Sequence, residues 1–184
     1  MTGLYQHGLL LLACSTCGAA AVFDLRQGLI PNWLVTVLAV FSVSLHLLAS
    51  LLLDARGWLG TLLFVVIGAL VCGIVPALLY ALKSLGGGDL KLLVAVGACL
   101  GPQVGFELQA YAYAIGAVYA LVQVVARGTL WKTFVGSSAG LLNPVLPSRL
   151  RQPVPPEALA TMHFAPAVCA AACLVTARYW GVSP

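Results

Sequence analysis

The sequence predicts an all-α, polytopic membrane protein with six transmembrane helices and both termini on the non-cytoplasmic side. Composition sets the class: 61% of the 184 residues are hydrophobic, only 8% are charged, and the mean hydropathy is +1.03. A soluble domain carries roughly a quarter of its residues charged. Runs of apolar residues and the placement of the basic residues then determine the helix count and the orientation.

Five uncharged runs are long enough to cross a bilayer, which takes about 20 apolar residues. A sixth run, Leu92 to Leu100, is much shorter, and it rises only about 14 Å as a helix. The hydrocarbon core is about 30 Å thick, so this run needs flanking residues to cross. The five long runs are Leu4 to Phe23, Trp33 to Leu53, Trp58 to Leu82, Phe106 to Ala126 and Thr161 to Ala177, and the only charged residue in them is Glu107 at the edge of the fourth.

Positive charge decides whether the short run crosses. Lys83 and Lys91 precede it, and a second basic group follows the next long run. Both groups are expected in the cytoplasm under the positive-inside rule, so the short run must also cross. The predicted inner loops then hold most of the basic residues, and this topology explains the net charge of +4 without nucleic acid as a partner. Those inner residues are Arg26, Lys83, Lys91, Arg127, Lys132, Arg149 and Arg151, against Arg56 and Arg178 outside.

The fourth helix must therefore begin near Gly88 and extend to Phe106, which spans about 28 Å. The glycine-containing segment from Gly101 to Gly105 ("GPQVG") is the expected turn before the fifth helix. Asp89 then lies in the first turn of a transmembrane helix, at its cytoplasmic edge.

The other segments complete a single predicted domain, residues 1–184. We interpret the first apolar run as a retained helix rather than a cleaved signal peptide, because it lacks a basic leading region. The longest loop, residues 127–160, is predicted to lie in the cytoplasm. Trp131, Phe134 and Val135 share one helical face there, which indicates a short interfacial helix.

Two of the five acidic residues fall at the same predicted depth. Asp24 ends the first helix and Asp89 opens the fourth, both at cytoplasmic ends. Two carboxyl groups close together in a low dielectric do not both ionise easily, so one keeps a proton. Such a pair serves as acid and base in aspartic proteases, where one member activates water and the other polarises the amide carbonyl. No metal or other cofactor is needed for this chemistry.

Each acid also has a simpler interpretation. Asp24 is explained by a polar residue at a helix end facing the headgroups, and Asp89 by N-capping after a glycine-rich turn. Gly86, Gly87 and Gly88 favour the catalytic interpretation, because glycine permits positive φ and close approach of a substrate backbone. Lys91 has snorkelling to the interface as its alternative role.

Two motifs carry a resemblance to a known family. "FDLRQGLIPN" (residues 23 to 32) and "GGGDLKLL" (residues 86 to 93) resemble the paired signature of the type IV prepilin peptidases, the GxGD aspartic proteases of bacterial and archaeal membranes. In that family one aspartate begins a D-x-R-x-x-x-I-P-N stretch and the second closes G-x-G-D-x-K. A weaker similarity links "MHFAPAVCAA" (residues 162 to 171) to an M-P-F-G-P-A segment on the family's last helix, with His163 and Ala165 at the usual Pro and Gly positions.

The resemblance implies a catalytic dyad of Asp24 and Asp89. It also implies that Gly86 and Gly88 form the loop beside the scissile bond, and that the turn residues Pro31 and Asn32 are structural. We expect Lys91 to be a further substrate-binding residue. The implied substrates are pilin-like precursors, which lose a short basic leader at the cytoplasmic face of the inner membrane.

One departure from the larger family members is informative. They carry a cytoplasmic insert with paired CxxC motifs, associated with N-methylation, after the first helix, whereas only Arg26 to Asn32 separates the first two helices here. We therefore expect the minimal form that serves Flp or Tad pili, a peptidase without methyltransferase activity. "CSTC" (residues 14 to 17) lies inside a helix, where packing is favoured over zinc binding.

Two other classes of function compete with this interpretation. A proton-coupled transporter would use the two acids as a relay, and a non-catalytic pilus-assembly subunit would keep the fold without the chemistry. Broken helices and internal pseudo-symmetry would favour a transporter, and the sequence shows neither clearly. The sequence does not determine the oligomeric state.

Overall fold

Helices account for nearly all of the structure, a computed structural model that describes residues 2–53, 57–126 and 163–180. They are α1 (Thr2–Gln27), α2 (Asn32–Leu53), α3 (Gly57–Ala81), α4 (Gly87–Ala126) and α5 (Ala165–Trp180). No strand occurs within the described ranges, so the all-α prediction is confirmed. The predicted interfacial helix and the rest of the 127–160 loop lie outside the described residues.

Four helical stretches are long and apolar enough to span a membrane: Tyr5–Gln27, Asn32–Leu52, Gly57–Ala81 and Gly87–Gln123. The chain is therefore a multi-pass membrane protein. Six crossings, and the side on which each terminus lies, stay predictions.

A break at Gly101 divides the longest helix, α4, into two halves. Gly101 has φ 79° and ψ 178°, which is not helical, and Pro102 follows it. A Cβ atom built on Gly105 would lie 3.0 Å from the Cα atom of Gly97, although residues eight apart in a straight helix are separated by about 12 Å. The second half therefore folds back against the first. The reversal begins at the first residue of the predicted turn.

The chain divides into two compact units, residues 1–115 with 163–184, and residues 116–162. The described part of the second unit is the C-terminal portion of α4, residues 116–126. All contacts discussed below belong to the first unit.

The core of the first unit consists of buried side chains from α1, α2, both halves of α4 and α5. α5 packs along α1 in the opposite direction, because the start of α1 contacts the end of α5. His7 stacks on Trp180 with ring centroids 4.5 Å apart, and the sulfur atoms of Cys14 and Cys173 are 3.6 Å apart. This antiparallel register brings the beginning of α5 to the level of the end of α1.

Candidate functional site

The last turn of α1 holds Asp24 in a buried position. Gly28 follows the helix with φ +64°, and its N–H donates to the carbonyl of Asp24 over 2.8 Å. A glycine in the left-handed conformation is a common helix end because it has no Cβ atom to clash. The side chain of Asp24 is only 8% exposed, so it does not face the headgroups as its simpler interpretation required.

The first turn of α4 holds Asp89. α4 begins at Gly87, one residue before the expected start, and the carbonyl of Gly86 accepts the N–H of Leu90 over 3.2 Å. Gly86 is therefore the N-cap residue, and Asp89 lies three residues later, where its carboxyl group interacts with the backbone of Gly86. The capping interpretation of Asp89 thus holds in this form, beside the catalytic role that the resemblance implies. The side chain of Asp89 is half-buried, and its Oδ1 atom is buried with no hydrogen-bond partner among the described residues.

The two carboxyl groups lie at the same end of the bundle. Asp89 lies within electrostatic range of Asp24, although one residue ends α1 and the other begins α4. Oδ2 of Asp24 also accepts the backbone N–H of Ala165, the first residue of α5, over 3.3 Å. Three helix ends therefore converge on the pair. A neighbouring pair of carboxyl groups is the set of groups that acid and base catalysis by two aspartates uses.

The glycines before Asp89 provide space rather than unusual backbone angles. Gly86, Gly87 and Gly88 are not among the residues with positive φ, so the conformation that glycine permits is not used here. A Cβ atom on Gly86 would lie 3.0 Å from Oδ2 of Asp89, and one on Gly88 would lie 3.1 Å from the Cβ atom of Ile30. Gly86 therefore leaves room for the carboxyl group, and Gly88 leaves room for the chain between α1 and α2.

A hydrogen bond joins the ends of the two sequence motifs. The ammonium group of Lys91 donates to Oδ1 of Asn32 over 3.0 Å, and both side chains are exposed. Pro31 precedes α2, and its carbonyl accepts the N–H of Leu34 over 3.2 Å. Pro31 and Asn32 thus lie where the chain turns into α2, which begins at Asn32, one residue before the predicted apolar run. The substrate-binding role of Lys91 stays a prediction.

The candidate site includes a residue to which the sequence analysis assigned no role. Ala165 reaches Asp24 through its backbone, so the identity of its side chain carries little signal. The sequence does contain one indication of this site, which is Pro166. Proline is frequent in the first turn of a helix, so it indicates where α5 begins.

Cys17 and Cys72 are both buried among the helices. Cys17 is fully buried in the core, and Cys72 packs against Gly97 and Gly105. Within the described ranges, no group of three or more His, Cys, Asp or Glu residues is arranged to hold a metal ion.

A model of the type IV leader peptidase family matches residues 11–121, more than half of the chain. The chain belongs to the type IV leader peptidase family. Membership of this family of peptidases indicates a hydrolase that acts on a protein substrate in a membrane. The matched range includes Asp24 and Asp89 and ends before α5. Comparison with curated proteins finds no match, and comparison with solved structures finds none either.

Proposed function

We propose that the protein is an aspartic endopeptidase that removes the basic leader from type IV pilin-like precursors. In this proposal Asp24 and Asp89 form the catalytic dyad, and cleavage takes place at the cytoplasmic face of the inner membrane. The observation that carries the proposal is that these two acids, distant in sequence, lie at the same end of the bundle. The family match supports the reaction class.

The reaction needs one ionised and one neutral carboxyl group. The ionised member accepts a proton from water as the water oxygen attacks the scissile carbonyl, while the neutral member donates a hydrogen bond to the carbonyl oxygen. When the tetrahedral intermediate collapses, the carboxyl group that took the proton from water passes it to the leaving amine. The pair then again has one ionised and one neutral carboxyl group. In the proposal Asp89 is the neutral member, because its Oδ1 atom is buried without a hydrogen-bond partner among the described residues and such a position disfavours a charged carboxylate.

Unwound substrate is a further requirement of this chemistry. A helical peptide bond is shielded by its own turn, so the segment to be cut must approach as extended chain. The connection that leads into α4 has an exposed backbone at Gly86, beside the carboxyl group of Asp89. In the proposal this open edge admits the scissile bond.

Co-expression with a pilin-like precursor tests the dyad, with leader removal followed by gel shift. Asp24→Asn and Asp89→Asn are each expected to abolish cleavage, because an amide neither accepts the proton from water nor shares one. Glu107→Gln is the matched control. Glu107 is another carboxyl group in α4, but it pairs with Arg178 at 2.7 Å near the end of α5, away from Asp24.

Normal processing by either aspartate variant would show that the dyad assignment is wrong. Proton transport by a wild-type protein that cuts no precursor would instead identify the relay function. A wild-type protein that does neither would be the assembly subunit.

A further inference from the structure

The start of α5 contacts the candidate dyad through a backbone group. The N–H of Ala165 donates to Oδ2 of Asp24 over 3.3 Å, and the contact is buried. Ala165 is fully buried. It also lies outside the range of residues 11–121 that matches the family, so this contact adds a residue from a separate part of the chain.

This N–H is available because of its position in the helix. The carbonyl of Phe164 accepts the N–H of Ala167 over 3.0 Å and that of Val168 over 3.2 Å, which makes Phe164 the N-cap and Ala165 the first helical residue. The first N–H groups of a helix have no acceptor within the helix. Pro166, the next residue, has no N–H at all. The donor on Ala165 therefore points outward, and Asp24 supplies its acceptor.

Packing of α5 on α1 keeps this donor at the level of Asp24. A Cβ atom on Gly18 would lie 3.9 Å from the sulfur of Cys169, one turn beyond the donor along α5. The ring of Phe164 also packs against Tyr113 of α4, with centroids 5.6 Å apart. The start of α5 is thus held by α1 and by the second half of α4.

We propose that Ala165 is a positioning residue for the peptidase reaction. Its backbone N–H fixes Oδ2 of Asp24, so that the other carboxyl oxygen, Oδ1, is directed to the attacking water. The positive end of the α5 dipole adds to the attraction for a carboxylate. This inference rests on the proposed function, since it assigns a geometric role within that dyad.

Ala165→Pro tests the inference directly, because it removes the N–H while keeping a residue that suits the first position of a helix. We expect kcat for precursor cleavage to fall about tenfold or more, since a small misplacement of a reacting group is costly. KM is expected to change little, because the precursor does not contact this N–H.

Two variants separate the lost donor from altered packing. Ala165→Val adds about the volume of the proline ring and keeps the N–H, and Ala165→Gly is the conservative variant. Both are expected to retain much more activity than Ala165→Pro. An equal fall in Ala165→Val, or a kcat in Ala165→Pro that matches the wild type, would overturn the inference.

A second measurement decides the contact even if no precursor is cut. In protein labelled with ¹⁵N-alanine, the Ala165 amide resonance is identified by its loss in Ala165→Gly. Asp24→Ala removes the acceptor and is expected to move the Ala165 amide proton upfield, whereas Glu107→Gln leaves it in place. An Ala165 amide resonance that keeps its position in Asp24→Ala would contradict the hydrogen bond. The proposed function is tested separately, by precursor cleavage.

Discussion

At the scale of single residues, the absence of a side chain at Gly86 leaves room for the carboxyl group of Asp89. A Cβ atom on Gly86 would lie 3.0 Å from Oδ2 of Asp89. This is closer than ordinary van der Waals contact, so any larger residue presses on the carboxyl group. Gly87 differs, because the nearest atom to its Cβ position is in the ring of Tyr80 at 3.4 Å.

Gly86→Ala is expected to lower cleavage about tenfold or more, because it displaces a reacting carboxyl group. Gly87→Ala is the matched control, since the same added methyl group meets only the ring of Tyr80. Initial rates of leader removal, at equal amounts of folded protein, distinguish the two variants. Equal activity in both would mean that Asp89 tolerates the displacement or does not react.

At the scale of elements, the end of α3 determines how the chain enters the site. The N–H of Ser84 donates to the carbonyl of Leu79 over 2.9 Å, and the N–H of Lys83 donates to that of Tyr80 over 2.9 Å. This pair of bonds is the Schellman motif, which places its C′ residue in the left-handed region. Lys83 occupies that position with φ 57°, although glycine is the usual choice.

Lys83→Gly is expected to stabilise the protein by about 1 kcal/mol, because glycine adopts this conformation without the steric cost of a Cβ atom. Thermal unfolding in detergent measures the effect. Lys83→Ala is the control, since it removes the same charge and keeps the Cβ atom. If both variants shift the midpoint equally, the cause is the charge and not the backbone.

At the scale of the whole molecule, glycines allow α3 to pack against both halves of α4. Cβ atoms on Gly68 and Gly97 would lie 2.2 Å and 2.5 Å from backbone oxygens of the facing helix. A Cβ atom on Gly101 would lie 1.9 Å from the ring of Phe64. Close backbone approach through small residues is a common way to associate helices in membranes. The fold-back of α4 therefore depends on residues far from the dyad.

Gly101→Ala is expected to destabilise the fold by about 3 kcal/mol, because its φ and ψ angles are accessible essentially to glycine alone and Phe64 occupies the added volume. Gly8→Ala in α1 is the control, since nothing lies within 4 Å of its Cβ position. Folded yield and thermal midpoint report the difference. A Gly101→Ala protein as stable as the control would show that this contact does not hold the halves of α4 together.

Much of the fold follows from local sequence. Apolar runs predict α1, α2 and α3, although the helices extend a few residues beyond the runs at several ends. The "GPQVG" segment indicates the reversal, which begins at Gly101. The sequence does not show which neighbouring atoms the glycines before Asp89 accommodate, because that depends on the atoms that approach them and not on their own backbone freedom.

The sequence by itself determined the membrane class, the helices and the pair of acids at matching helix ends, because hydropathy and charge act along the chain. The tertiary structure alone decided that Ile30 fills the space beside Gly88, that Lys91 bonds to Asn32, and that Ala165 donates to Asp24. These contacts join residues distant in sequence, and the last uses a backbone group that every residue except proline possesses. A sequence pattern carries no record of such a donor until packing brings it to its acceptor.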